Sequence, residues 1–179
     1  MVKFEKLDMY RKMRLWINEV PEESKDATTD KILEYSGNKD IKWFNGILCL
    51  ELRIAPRAAS NYAMLSLKFT QNQSSKFHVL YHVSDKEELV DSDIAMKNDL
   101  IKTGIAKKYN SALTQLFDEL DSQSIFPSGI LEILGGRYGS MGSSDIAVKI
   151  VLKNLLKLFA LDEELDNSNV NSIILEGCK

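Results

Sequence analysis

Leu48-Cys49-Leu50-Glu51-Leu52-Arg53-Ile54 alternates without a break. Successive side chains of a strand point to opposite faces, so Leu48, Leu50, Leu52 and Ile54 share one side and Cys49, Glu51 and Arg53 the other. The wider run Ile41 to Ala55 is rich in β-branched and large apolar residues, and the whole reads as a half-buried strand closed by Pro56. On the N-terminal side, Met13, Leu15 and Ile17 alternate with Arg14, Trp16 and Asn18, predicting a strand from Met13 to Val20. Pro21 and a charged run break it, and Thr28-Thr29-Asp30 then offers a cap for a short helix through Tyr35, stopped by Gly37. On the C-terminal side, Leu65, Leu67 and Phe69 share a face in Ala63 to Phe69, and Phe77, Val79, Tyr81 and Val83 do so after the polar spacer TQNQSS. Three successive strands with short polar links predict an antiparallel meander.

The second half changes period. Ser84 and Glu87 have the spacing of a capping box. Ile101, Ile105, Tyr109, Ala112, Leu113, Leu116, Phe117 and Leu120 recur at intervals of one, three and four, which predicts a long helix from Leu100 to Leu120 with Gly104 as a weak point. Pro127 restarts the chain, Gly129 to Leu134 reads as a short strand, and a glycine-rich link leads to a second helix from about Ser144 to Leu161. The polar DEELDNSNVNS reads as a solvated linker, with Ile173-Ile174-Leu175 as a short terminal strand. The sum is one α+β domain over residues 1–161, a mostly antiparallel four-stranded sheet with two long helices on one face, followed by an acidic segment over 162–179.

Bulk properties exclude several classes. The chain has 179 residues, one domain's worth, with 23 Lys plus Arg against 26 Asp plus Glu and a net charge of −3. That balance argues against the basic field of a dedicated nucleic-acid binder. Cys49 and Cys178 are too few for a disulfide framework, which with the charged opening MVKFEKLDMYRKMR predicts a cytoplasmic chain. No apolar run is long enough to span a membrane.

The chemistry-bearing residues are sparse. His78 and His82, the only histidines, lie in an alternating strand about 13 Å apart, too far to share one metal. Neither has a nucleophile in a recognisable context, and no carboxylate pair stands in an apolar setting, so no catalytic residue, metal or cofactor is assigned. Cys49 alternates with leucines and reads as a packed residue. The distinctive piece is Gly135-Gly136-Arg137-Tyr138-Gly139-Ser140-Met141-Gly142-Ser143-Ser144. Its glycines expose backbone N–H groups ahead of a helix N-terminus, and Arg137 adds charge, so Gly136, Arg137, Tyr138, Gly139, Gly142, Ser143 and Ser144 form a candidate anion site. Lys149, Lys153 and Lys157 recur every four residues and would extend it toward RNA phosphates if Arg137 lay alongside. The plain reading is a strand-to-helix turn capped by Ser143 or Ser144, with a solvated lysine edge.

The order of a strand meander, a helix, a strand, a glycine-and-serine turn and a last helix resembles domain IV of elongation factor G, which the tetracycline ribosomal-protection proteins share. The resemblance spans about Ile47 to Phe159 and is carried by Gly136-Arg137-Tyr138 and Ser143-Ser144-Asp145-Ile146-Ala147-Val148-Lys149. Gly139-Ser140-Met141-Gly142 stands where that family has a His and an Asp. The same turn looks like the phosphate loop of the GHMP small-molecule kinases, without their upstream Pro. Both families imply a ribosomal-S5-domain-2-like fold. The first implies a non-enzymatic binding module associated with ribosome or RNA. The acidic balance instead implies a protein-binding partner, such as an immunity or antitoxin protein. The kinase likeness implies a small phosphate-handling enzyme.

Overall fold

The computed structural model describes residues 2–21, 28–54, 61–83, 87–105, 107–161 and 165–178. Among them, nine strands join one mixed sheet: β1 (Val2–Lys6), β2 (Arg11–Ile17), β3 (Thr28–Ser36), β4 (Gly46–Ile54), β5 (Asn61–Gln71), β6 (Lys76–Val83), β7 (Leu89–Val90), β8 (Ile101–Thr103) and β9 (Gly129–Gly139). Three helices complete the α+β architecture: α1 (Asn110–Asp121), α2 (Asp145–Phe159) and α3 (Asn167–Gly177). The main path runs β1-β2-β4-β5-β9-β6-β3, with β8 joining the far half of β9 and β7 beyond it.

The expected four-stranded, mostly antiparallel sheet is thus corrected to a wider mixed one. β2, β4 and β5 pair antiparallel as the alternation requires, Leu50 facing Leu15 on one side and Leu65 on the other. The meander stops there. β9 inserts between β5 and β6, antiparallel to β5 and parallel to β6, with Val79 opposite Leu131. A parallel neighbour needs a long crossover, and the chain between β6 and β9 provides it through α1.

Three further expectations change. Thr28 to Tyr35 is strand β3, not a helix: it pairs with β6, and Tyr35 reaches Phe126 with ring centroids 5.4 Å apart. The expected helix Leu100–Leu120 begins only at Asn110, because Ile101–Thr103 pairs with β9 and Gly104 turns the chain at φ +91°. The expected terminal strand Ile173–Leu175 lies in α3, whose N-cap Asp166 accepts from the Asn169 N–H at 2.8 Å. Part of the Ser84–Glu87 capping box falls outside the described residues.

The leucine face of the sheet carries the main core. Leu48, Leu50, Leu65, Leu67 and Leu131 pack beneath Leu113 and Phe117 of α1 and Val151, Leu152 and Leu155 of α2. Trp43, Phe69, Phe77, Phe126 and Phe159 close one end, Phe77 stacking on Phe126 at 4.5 Å between centroids. Aromatic pairs at these separations add to simple area burial. The opposite face is covered in part by Asp91–Leu100, a segment running over β2, β4 and β5. It is tied down by Asp93 to Arg14 at 2.7 Å, by Ser92 to Glu51 at 2.6 Å and by Ile94 against Tyr62. This strap positions the site.

Candidate functional site

Most of the glycine-rich piece is strand. Gly136, Arg137, Tyr138 and Gly139 belong to β9, where Gly136 pairs with Leu65 and a Cβ there would stand 2.2 Å from the Met64 carbonyl oxygen. That glycine serves close backbone approach within the sheet. Alternation sends the two intervening side chains apart. Arg137 turns to the strap side and is buried, its Nη1 4.0 Å from Glu51 Oε1. Tyr138 turns to the helix side, meets Tyr109 edge-on at 6.0 Å and donates its hydroxyl proton to Glu87.

Burial first, then the bond to Glu87, pushes the Tyr138 hydroxyl well above its ordinary pKa. The bond from Tyr138, followed by that from Lys102, lowers the Glu87 carboxyl.

The turn proper is Ser140-Met141-Gly142, and it does hold an anion. The anion is Asp99, from the end of the strap. Its Oδ1 accepts from the Met141 N–H at 2.9 Å and the Ser140 hydroxyl at 3.2 Å, and its Oδ2 accepts from the Gly142 N–H at 2.8 Å. A Cβ on Gly139 would fall 2.0 Å from Asp99 Oδ2, so glycine is what lets the carboxylate in. Ser143 accepts from the Gly139 N–H at 2.7 Å and donates to the Tyr62 carbonyl. Ser144 is the N-cap of α2, accepting from the Ala147 N–H at 3.2 Å, as the sequence predicts.

The lysine row lies elsewhere. Lys149, Lys153 and Lys157 project from α2, which packs on β4 and β5 from the helix side. Lys149 donates to Gln115 at 2.8 Å, and Glu119 lies 3.9 Å away. The sheet therefore separates these lysines from Arg137. The structure brings Gly139, Gly142, Ser143 and Ser144 together and leaves Arg137, Tyr138 and the lysines out.

Under the strap lies a polar group within the sheet. Glu51 is fully buried, and its Oε1 accepts from the hydroxyls of Tyr62 at 2.7 Å and Ser92 at 2.6 Å. Burial, then the charge of Glu51, raises the Tyr62 hydroxyl far above its usual range. Beside it the Ser66 hydroxyl donates to Cys49 Sγ at 3.1 Å, and burial pushes the Cys49 thiol up to about 12. A thiol that keeps its proton at neutral pH is no nucleophile.

Each histidine meets a carboxylate. His78 lies 3.2 Å from Glu34 and His82 3.2 Å from Glu132, while Lys76 and Lys68 hold the other oxygens. Among the described residues no three His, Cys, Asp or Glu gather as metal ligands.

Sequence reasoning missed two features. Asp99 is 42 residues from Met141, and nothing in NDLIK marks it as a clamp. The second is a set of exposed apolar side chains on the turn and on the segments next to it in sequence: Met141 at 72% in the turn, Leu100 at 59% and Met96 in the strap, Leu89 in β7 and Ile146 at 66% in the first turn of α2. The Ser140 N–H donates to the Leu100 carbonyl at 3.0 Å, so strap and turn meet backbone to backbone at this end. Among the described residues no helix is long and apolar enough to cross a membrane. The chain matches no family model, no curated protein and no solved structure.

Proposed function

We propose that this chain is a non-enzymatic binding module whose working surface is the end built by the turn Ser140–Gly142, the strap and the first turn of α2. One observation carries the reading: Met141 is held in water by a turn fixed from inside by Asp99, with the exposed Leu100 bonded through its carbonyl to the Ser140 N–H of that turn. A rigid apolar platform gains from being covered, because the ordering cost of binding is already met within the fold. The order β4-β5-β6-β7-β8-α1-β9-α2 contains, with the short strands β7 and β8 added before α1, the sequence of elements in the translation-factor domain, and this supports an S5-domain-2-like core and a ribosome as one partner to test. The acidic balance supports a single protein partner of the immunity or antitoxin kind. The phosphate-handling reading draws little support from a turn whose Met141 and Gly142 N–H groups already serve Asp99.

The test is affinity capture from native extract with the wild-type chain and with Met141→Ser/Leu100→Ser, exposed changes that leave the core intact. The wild type retains ribosomes or one protein, and the variant loses them while its melting temperature is unchanged. Equal capture by both would refute this surface.

A further inference from the structure

We infer that the strap is an internal ligand: Asp91–Ala95 occupies a basic strip of the sheet that takes, in its place, an acidic extended segment of another protein. The strip is read from strand register, on the face opposite the leucine core. Arg14 pairs with Glu51, Glu51 with Met64 and Met64 with Arg137, so these four form one row across β2, β4, β5 and β9. The neighbouring row is Lys12, Arg53 and Tyr62. Directly opposed residues share a face, so the two rows gather four cations against the single carboxylate of Glu51, a net of +3. The row on the other side, Trp16, Cys49 and Ser66, is uncharged.

Across this strip lies Asp91-Ser92-Asp93. Ser92 donates its hydroxyl to Glu51 Oε1 at 2.6 Å, Asp93 reaches Arg14 at 2.7 Å, and Ile94, fully buried, packs on Tyr62. A hydroxyl set between carboxylates thus faces a carboxylate set between cations, and an aliphatic anchor follows it. The hold is local. No strap residue enters the main core, and Ile94 is the one strap side chain that is fully buried. The Asp93 carboxylate is 81% exposed, and an ion pair so open to water contributes little. Val90 pairs with Ile101 before this stretch and Asp99 clamps the turn after it, so the middle can lift while both ends stay fastened. The cover also leaves its seat incomplete. Glu51 is fully buried, yet among the described residues no donor reaches its Oε2, a lack that a ligand N–H would meet. A carboxylate at the centre and an aliphatic seat beside it favour a peptide over a phosphate backbone.

The experiment titrates a fluorescein-labelled peptide with the strap's own sequence, Val90–Lys97, into two full-length chains: the wild type and Ser92→Ala/Ile94→Ser, which removes both central ties. The released variant should bind about tenfold tighter, as expected where the strip is open in about a tenth of wild-type molecules. A peptide with Asp91→Asn and Asp93→Asn should bind neither chain. Arg14→Glu in the released variant should lose the parent peptide and regain binding to one carrying Asp93→Lys, a swap that general destabilisation does not produce. In ¹⁵N spectra the parent peptide should move the amides of Arg14, Glu51 and Tyr62. Met141→Ser should leave its affinity unchanged, so this inference stands or falls apart from the surface proposed above.

Equal affinity for the two chains, or for the acidic and amidated peptides, would overturn the inference. Tighter binding of a single-stranded RNA oligonucleotide than of the peptide would overturn it in favour of RNA. If the released variant does not fold, the wild type decides alone by native-state hydrogen exchange. The Ile94 and Ala95 amides, which donate to Ser92 Oγ, should exchange through a small opening insensitive to urea while Leu65 waits for global unfolding. Exchange of all three at one free energy would make the strap a fixed part of the sheet's cover and refute its role as a ligand.

Discussion

Asp99 shows how much one side chain can organise. It takes two backbone N–H groups and a hydroxyl that would otherwise need water, and hydrogen bonds to a charged acceptor are stronger than neutral ones. Asp99→Ala should lower stability by roughly 2–3 kcal/mol in urea denaturation and speed hydrogen exchange at Met141 and Gly142. Unchanged exchange at those amides would mean that the turn holds itself. Glu132 sets the acid response. Burial raises its carboxyl pKa, but the hydrogen bonds and charges of Lys68 and His82 outweigh this, and the net shift is downward. Glu34 is lowered by Lys76, then His78. The unfolded chain thus takes up these protons first as pH falls. Their stabilisation is whole above the unfolded value of about 4.3 and disappears as pH drops through the lower folded value. The gap in urea midpoint between the wild type and Glu132→Gln should be widest above about pH 5 and narrow steadily as pH falls below the unfolded value. A gap that persists at low pH would assign the loss to packing.

At the scale of elements, what was legible followed local period and what was not followed distant partners. β2, β4, β5 and β6 announce themselves by alternation, and α2 by its Ser144 cap and apolar stripe. β3 hides its strand character because Thr28-Thr29-Asp30 has the residue types of a helix cap, while its pairing with β6 leaves no local trace. The stripe through Ile101, Ile105 and Tyr109 mimics a helix, yet Ile101 packs on Tyr62 and Ile94 while Ile105 and Tyr109 enter the main core. Of the residues proposed from sequence as an anion site, Gly142 donates its N–H to the Asp99 carboxylate and Gly139 leaves room for it, while Ser143 and Ser144 bond elsewhere. The source of that carboxylate and the opposed directions of Arg137 and Tyr138 depend on register and are not written locally. The glycines of β9 carry the local signature of a loop, whereas Gly136 permits close pairing with β5. Gly136→Ala should therefore cost roughly 1–3 kcal/mol, since the obstacle is the backbone oxygen of Met64. A melting temperature equal to wild type would show that β5 and β9 can separate there without penalty.

Across the whole molecule, protection should follow position in the sheet. β5 lies between β4 and β9, and β9 between β5 and the β6 and β8 pair. α2 covers β4 and β5 on one face, and the strap crosses them on the other. An amide there meets water only if both layers and two neighbouring strands part together, which amounts to global unfolding. β1 and β3 end the sheet, each with one strand neighbour, and can open alone. Native-state hydrogen exchange should therefore give Leu65, Leu67, Leu131 and Ile133 one shared free energy that matches denaturant unfolding and falls with urea at the full slope. Amides of β1 and β3 should exchange through smaller openings almost insensitive to urea. If β3 shared the free energy of β5, the edge would be locked to the centre and the molecule would open as a single unit. A layered outcome would instead mean that the end bearing Met141, fastened through β5, β9 and the strap, belongs to the part that opens last.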